Sequence, residues 1–423
     1  MKEFHFKILI DLLSQPTAPF QEGHVISFLT QLLNDHGVPF FLDPWGNLIL
    51  GVSSRAEYFR LIKTRDLPPL PFFIAHMDHP GFHGTRWSRS NTLEVQWLGG
   101  SPTEHLENAR VWLRGPNGFQ AQGKLKKPQL LESKKALKTA QVVIHPLDLA
   151  QLKRSGLGQK YKDLSQLIYG GFAFQDPVWQ KGELIYTQAA DDLVGCFALA
   201  TLAIDYFKKH PSSIGRSKRS QSRTTRSGSA WTPPPFLALL SRAEEVGFIG
   251  TLAHLELGWL QKASRSIFVV SLETSRTLPG AEIGKGPVVR LGDRFTVFHP
   301  AFTHVLTELA QTTLGSSQFQ RRIMDGGSCE ASATTVYGLH SIGISVPLGN
   351  YHNQNFQGGE DACEPNGPAP EFVHQKDVEG LQRLCHAILD PKTRWTQPWK
   401  SKQAQFRKNL RSFQSLLSKG VSL

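Results

Sequence analysis

No run of about eighteen consecutive apolar residues, the length a helix needs to span a bilayer, occurs in the 423 positions of this chain. The N-terminal stretch MKEFHFKILIDLL is apolar, but Asp11 interrupts it before it could form the core of a secretion signal, so the chain is expected to stay in the cytoplasm. Cysteine is scarce. Cys196, Cys329, Cys363 and Cys385 stand apart with no CxxC spacing, which excludes a disulfide framework and a thiolate zinc site and predicts reduced, mostly buried thiols. Internal repeats are absent.

Acid is missing from two segments. Residues 208–226 hold seven Lys/Arg and residues 391–423 hold eight, and together these exceed the net charge of +12, so the rest of the chain is slightly acidic. The first segment is rich in Ser, Arg, Thr and Gly and closes on Pro233-Pro234-Pro235, which predicts a basic, disordered surface loop over 208–235. The second places Phe406, Leu410, Phe413 and Leu417 at helical spacing, which predicts a basic C-terminal helix within 396–423, docked on the core with its charges in solvent. Neither segment interleaves its bases with a recognisable nucleic-acid-binding motif, and neither a nucleic acid nor a membrane is expected as a partner.

What is present reads as a mixed α/β chain. Amphipathic helix patterns around Ile8, Leu12 and Leu13 and around Val25, Phe28, Leu29, Leu32 and Leu33 precede short apolar strands at 39–42, 48–50 and 72–75. Between 82 and 182 the texture changes to short alternating segments such as LEVQWL and AQVVIHPL, with Pro116-Asn117-Gly118 as a hairpin turn, which predicts a small β domain. Strands at 236–240, 267–270 and 342–346 then alternate with helical stretches. The expected fold is therefore a mixed sheet flanked by helices, with residues 1–81 and 183–395 forming a discontinuous catalytic domain around the inserted β domain.

Each buried-looking strand runs into an acid or a histidine: His76 and Asp78, then Asp191 and Asp192, Glu244 and Glu245, Glu273, and finally His352. Taken singly, each has a plain structural explanation. His76 could be a core histidine, the Asp pair a helix cap, the Glu pair a solvated helix start, Glu273 a surface residue and His352 a loop residue. Taken together, they fall at carboxyl ends of strands, the side on which an open α/β sheet forms its ligand crevice. Four or more carboxylates gathered there would raise one another's pKa values, and a divalent metal reverses that penalty.

The motifs AHMDHPGF, WLGG, NARVWL, QAADDLVG, AEEVG, DGGSCEAS, VPLGNYHN and EFVHQKDVEGL, in this order over most of the chain, resemble the M42 family of metallo-aminopeptidases, within the clan of co-catalytic zinc exopeptidases that includes M28 and M20. That resemblance implies two divalent ions, zinc or alternatively cobalt, bridged by Asp191. His76 and Glu273 would complete one site, and Glu245 and His352 the other. Glu244 would be the general base, Asp78 would orient His76, and the Asp191-Asp192 peptide bond would be cis. It also implies self-association through the β domain into closed assemblies that admit short peptides. The chain departs from the family in carrying Glu273 where Asp is usual, DDL for DDR and GGSCEA for GGTDA. The function so implied is removal of N-terminal residues from short peptides. The rivals are an M20-like deacylase or dipeptidase using the same metals, and a non-catalytic scaffold binding nucleic acid through its basic segments.

Overall fold

The apolar runs fold as strands whose successive residues point to opposite faces of one sheet. The computed structural model describes residues 1–133, 135–150, 154, 167–211 and 234–419. Its main sheet has eight strands in the order β1 (Phe40–Leu42), β2 (Leu48–Leu50), β12 (Leu237–Ser241), β3 (Leu70–His76), β13 (Ile267–Arg276), β16 (His340–Leu348), β14 (Val288–Asp293) and β15 (Gln320–Met324). The four central strands β12, β3, β13 and β16 are parallel, whereas β2 and β14 flank them antiparallel.

On one face, Phe73, Ala238, Leu240, Phe268 and Val270 pack against α1 (Glu3–Leu13), α2 (Gly23–Asp35), α4 (Leu193–Lys209), α6 (Pro300–Leu314) and α8 (Gln375–Ile388). The alternate residues Phe72, Ile74, Leu237, Leu239 and Val269 pack on the other face against α3 (Arg55–Lys63) and the stretch after α5 (Ile249–Glu256), including Trp259. Both faces are covered, which is why these strands read as continuous apolar runs.

The alternating segments form a closed six-stranded barrel, β4 (Gly81–Arg89), β5 (Thr92–Leu98), β8 (Leu137–Ile144), β7 (Gln120–Leu130), β6 (Arg110–Arg114) and β9 (Tyr169–Phe172), with Phe82, Val95, Trp97, Val111, Val142 and Phe172 inside. The turn containing Pro116-Asn117-Gly118 joins β6 to β7. Next in sequence come β10 (Val178–Lys181) and β11 (Leu184–Thr187), which pair with each other, and β11 pairs in turn with β17 (Glu371–His374) in a separate three-stranded sheet. The expected 82–182 span therefore runs too far, because an alternating pattern shows that a segment is a strand but not which strand it will meet.

Two further expectations change. Of the basic loop over 208–235, residues 212–233 lie outside the described residues, while Lys208 and Lys209 end α4. The C-terminal helix forms as α9 (Lys400–Lys419), but it is not docked: Phe406, Leu410, Phe413 and Leu417 are 55–67% exposed. Its spacing encodes an apolar stripe whether or not a partner covers it. Cys196, Cys329 and Cys385 are buried and Cys363 is exposed, all four as free thiols.

Burial makes a direct test possible. Phe73→Ala, which empties a fully buried site beside Phe236, should cost about 3–5 kcal/mol in urea unfolding. Phe413→Ala should stay within about 0.5 kcal/mol. Equal losses would mean that the C-terminal stripe is packed in the isolated chain.

Candidate metal centre

Strand β3 delivers the first histidine. His76 is its last residue and is buried; its Nδ1 lies 3.1 Å from the Asp78 carbonyl oxygen, which fixes the ring and turns Nε2 toward Asp191 Oδ1 at 3.4 Å and Glu244 Oε2 at 3.8 Å. The Asp78 carboxylate, expected to orient His76, has Oδ1 3.6 Å from its Nδ1, but its hydrogen bonds come from the next turn. Oδ1 accepts the Glu244 amide at 2.9 Å and Oδ2 the Glu245 amide at 3.1 Å, so it fixes the neighbouring turn, and the imidazole is oriented chiefly through the Asp78 main chain.

The turn after β12 explains how two adjacent glutamates can both reach the site. Ala243 takes a left-handed φ of 51° and Gly247 one of 107°, so the chain reverses within a single 3-10 turn, Glu244–Val246. Buried Glu22, from just before α2, clamps its start: Oε1 accepts the Ala243 amide at 3.0 Å and Oε2 the Arg242 Nε–H at 2.8 Å.

Asp191 stands between the two histidines. Its Oδ1 faces His76 Nε2, and its Oδ2 lies 3.8 Å from His352 Nε2, which in turn is 3.1 Å from Glu245 Oε2. One ligand atom each from His76, Asp191 and Glu245 fall within 4.8 Å of one another. The Asp191-Asp192 peptide bond is cis. Asp192 serves as the helix cap considered above, its Oδ1 accepting the Gly195 amide of α4 at 3.1 Å and the Thr274 hydroxyl at 2.8 Å.

Glu371, in β17, was not given a role from sequence. Its buried carboxylate accepts the amides of Ala190 (2.7 Å) and Asp191 (3.2 Å) on Oε2 and that of His352 (2.9 Å) on Oε1, so one side chain holds the loops bearing Asp191 and His352 in register. The available signal was a glutamate inside the apolar strand EFVH. A second link is His79, whose ring bridges the Asp191 carbonyl at 3.0 Å and Asn353 Oδ1 at 3.2 Å.

Glu273 lies inside β13, not at its end, and lines the same small cavity as Asp191 and Tyr351. Its Oε2 is 3.9 Å from Nη1 of buried Arg290. Among the expected ligands it is the one directed partly toward a protein cation.

The charges are hard to accommodate without a metal. Burial pushes the Glu244 carboxyl well above the usual range, partly opposed by His76, and burial likewise raises Glu273. For His76 burial favours the neutral ring, but the surrounding carboxylates, Glu244 first, hold it well above the ordinary imidazole value. His352 is raised in the same way, with Glu245 as the main opposing charge. Asp191 Oδ1, Glu245 Oε1 and His352 Nε2 are buried and accept or donate no hydrogen bond among the described residues. Oxygen and imidazole donors that point at one another without partners suit divalent cations such as zinc.

Residues 232–357, the segment that carries Glu244, Glu245, Glu273 and His352, match the model of a family described as M42 glutamyl aminopeptidase. The matched segment, under a third of the chain, is thus similar to the M42 peptidases. The family is one of metal-dependent aminopeptidases, and the donor set fits it. Among solved structures, this chain is similar to an aminopeptidase of the archaeon Desulfurococcus kamchatkensis, at 18% identity over 94% of this chain and 98% of that one, with a TM-score of 0.65. It is also similar to the Pyrococcus horikoshii TET1 peptidase (18% identity, 91% and 99% covered, TM-score 0.63) and to yeast aminopeptidase 1 (13%, 94% and 98%, TM-score 0.58). At such identities the likeness is one of fold. No curated protein sequence matches the chain.

The loop leaving β5 of the barrel reaches the candidate metal centre through Gly100. A Cβ there would lie 1.9 Å from His352 Nδ1, and Trp97 Nε1–H holds the Gly100 carbonyl at 2.8 Å. Gly100→Ala should therefore displace His352 and weaken retention of one metal by about 10–100-fold in chelator competition. Gly23→Ala, where a Cβ meets nothing within 4 Å, should leave it unchanged. Equal metal retention in both variants would mean that His352 does not depend on this contact.

Proposed function

We propose that the chain removes N-terminal residues from short peptides, using two divalent ions, zinc or alternatively cobalt, shared by Asp191. The observation that carries this reading is the Asp191 carboxylate, which offers one oxygen toward His76 and the other toward His352. His76 and Glu273 would hold one ion with Asp191, and Glu245 and His352 the other. When bound, such a pair lowers the pKa of a shared water and polarises the scissile carbonyl.

The protein supplies the rest. Glu244 takes the proton of the attacking water on its carboxylate and returns it to the leaving amine; Oε2 lies beside His76 Nε2, where that water would sit against the ligand set. Asp78 holds Glu244 in place by its amide, and Glu371 keeps Asp191 and His352 facing each other. The family match favours this reading over an M20-like deacylase, and the gathering of His76, Asp191 and Glu245 favours it over a non-catalytic scaffold. The Pyrococcus horikoshii TET1 peptidase can assemble into a tetrahedron or a large octahedral shell. We propose that this chain also self-associates, through its barrel.

Metal analysis followed by hydrolysis of aminoacyl-nitroanilides beside N-acyl amino acids tests the reading, and turnover of only the N-acyl substrates would replace it with the deacylase. Asp191→Ala should remove both metals together with activity. A variant that kept its full metal content would refute the bridging role. Glu244→Gln preserves shape but cannot accept the proton, so metal content and KM should hold while kcat falls by about 10²–10⁴-fold. A near-normal kcat would place the base elsewhere.

A further inference from the structure

The helix α9 has no part in the metal centre, and the body of the protein leaves it bare. Its first turn leans on α6: Trp399 stacks on His304 at 4.6 Å between ring centroids, and the Ser401 hydroxyl donates to Glu308 at 3.1 Å. Residues 400–418 are all exposed. At about 100° per residue, Phe406, Leu410, Phe413 and Leu417 fall on one stripe roughly 60° wide, and exposed Leu416 broadens the apolar side toward the C-terminal end. Lys400, Lys402, Arg407, Lys408 and Arg411 flank or oppose the stripe, and no acidic residue occurs anywhere in the helix. The surface thus combines large apolar side chains with charge of one sign.

We propose that α9 is a docking surface for an anionic lipid bilayer, lying in the plane of the interface with its stripe among the acyl chains and its Lys/Arg at the headgroups. Charge complementarity selects this occupant. A second copy of α9 is a poor one, since the 4, 3, 4 spacing spans only two heptads, short of the three or four a coiled coil needs, and pairing would bring two acid-free helices together. Nucleic acid would engage the charges but leave Phe406 and Phe413 in water. An acidic groove on another protein would have to match charges spread along both flanks of the helix, whereas a bilayer presents a continuous anionic plane. Long Lys and Arg side chains can keep their charged ends at that plane while their stems lie along the apolar region.

The test is co-sedimentation of the full chain with vesicles of equimolar phosphatidylglycerol and phosphatidylcholine and with vesicles of phosphatidylcholine alone. Binding is expected to the first only, to weaken when salt rises from about 0.05 to 0.5 M, and to fall by roughly tenfold or more in Phe406→Ser/Phe413→Ser. Peptidase activity and oligomeric state without vesicles should be unchanged in that variant. The proposal is overturned by equal binding to both vesicles, by binding to neither, or by anionic binding that survives the double substitution and reports charge alone. It is also overturned if the variant loses a lipid-free assembly state, which would assign the stripe to a second copy. Retention on an acidic protein matrix without vesicle binding would assign it to a protein partner instead.

Discussion

Burying several carboxylates beside one another is the constraint around which this structure is organised. Asp191, Glu244, Glu245 and Glu273 lie close to two imidazoles in a setting where burial raises the Glu244 and Glu273 carboxyls and the neighbouring carboxylates raise the imidazoles. Such a cluster would relax apart unless its backbone were fixed from outside. The fixing groups are other buried carboxylates that accept main-chain amides: Glu22 and Asp78 at the glutamate turn, and Glu371 at the Asp191 and His352 loops. Each exchanges water for two or more N–H donors, which lets a buried acid serve as a fastener. Acids therefore play two roles within a few residues of each other, some facing the metal position and others holding the chain that presents them.

Much of the sheet was legible in the sequence because burial on both faces leaves an unmistakable mark. Phe72-Phe73-Ile74-Ala75 admits no polar side, and it occupies a central parallel position between β12 and β13. The barrel was legible as alternation. Less legible was the allocation of β10 and β11, since a strand's own residues carry no label for its neighbour, and their partner β17 lies almost 190 positions away. The C-terminal stripe illustrates another limit: periodicity states which residues share a face, but only the rest of the fold determines whether that face is covered.

At the site, the gathering of His76, Asp191, Glu245 and His352 was legible, as was the cap formed by Asp192. What escaped were residues whose contribution passes through hydrogen bonds to the main chain. Glu371 looks from sequence like an unremarkable acid in a short strand, and Asp78 like a partner for the imidazole two residues before it and nothing more. Their true contacts depend on which amides the distant turns bring within reach, and those turns rest on backbone conformations such as the left-handed Ala243 and His352. Side-chain chemistry can be read from a motif. Where the main chain's N–H groups point cannot.

The approach of the barrel loop to His352 bears on modularity. In sequence the barrel is an insertion, entered and left by segments that could be spliced, and such elements are commonly regarded as exchangeable accessories. In space, however, Gly100, three residues beyond Trp97, forms part of the wall against which the His352 imidazole rests. The two units therefore share a boundary at the chemistry itself, so lineages that remodel the barrel's outer surface must leave this inner edge intact. Changes that spare the His352 contact would have to fall on strands facing away from it.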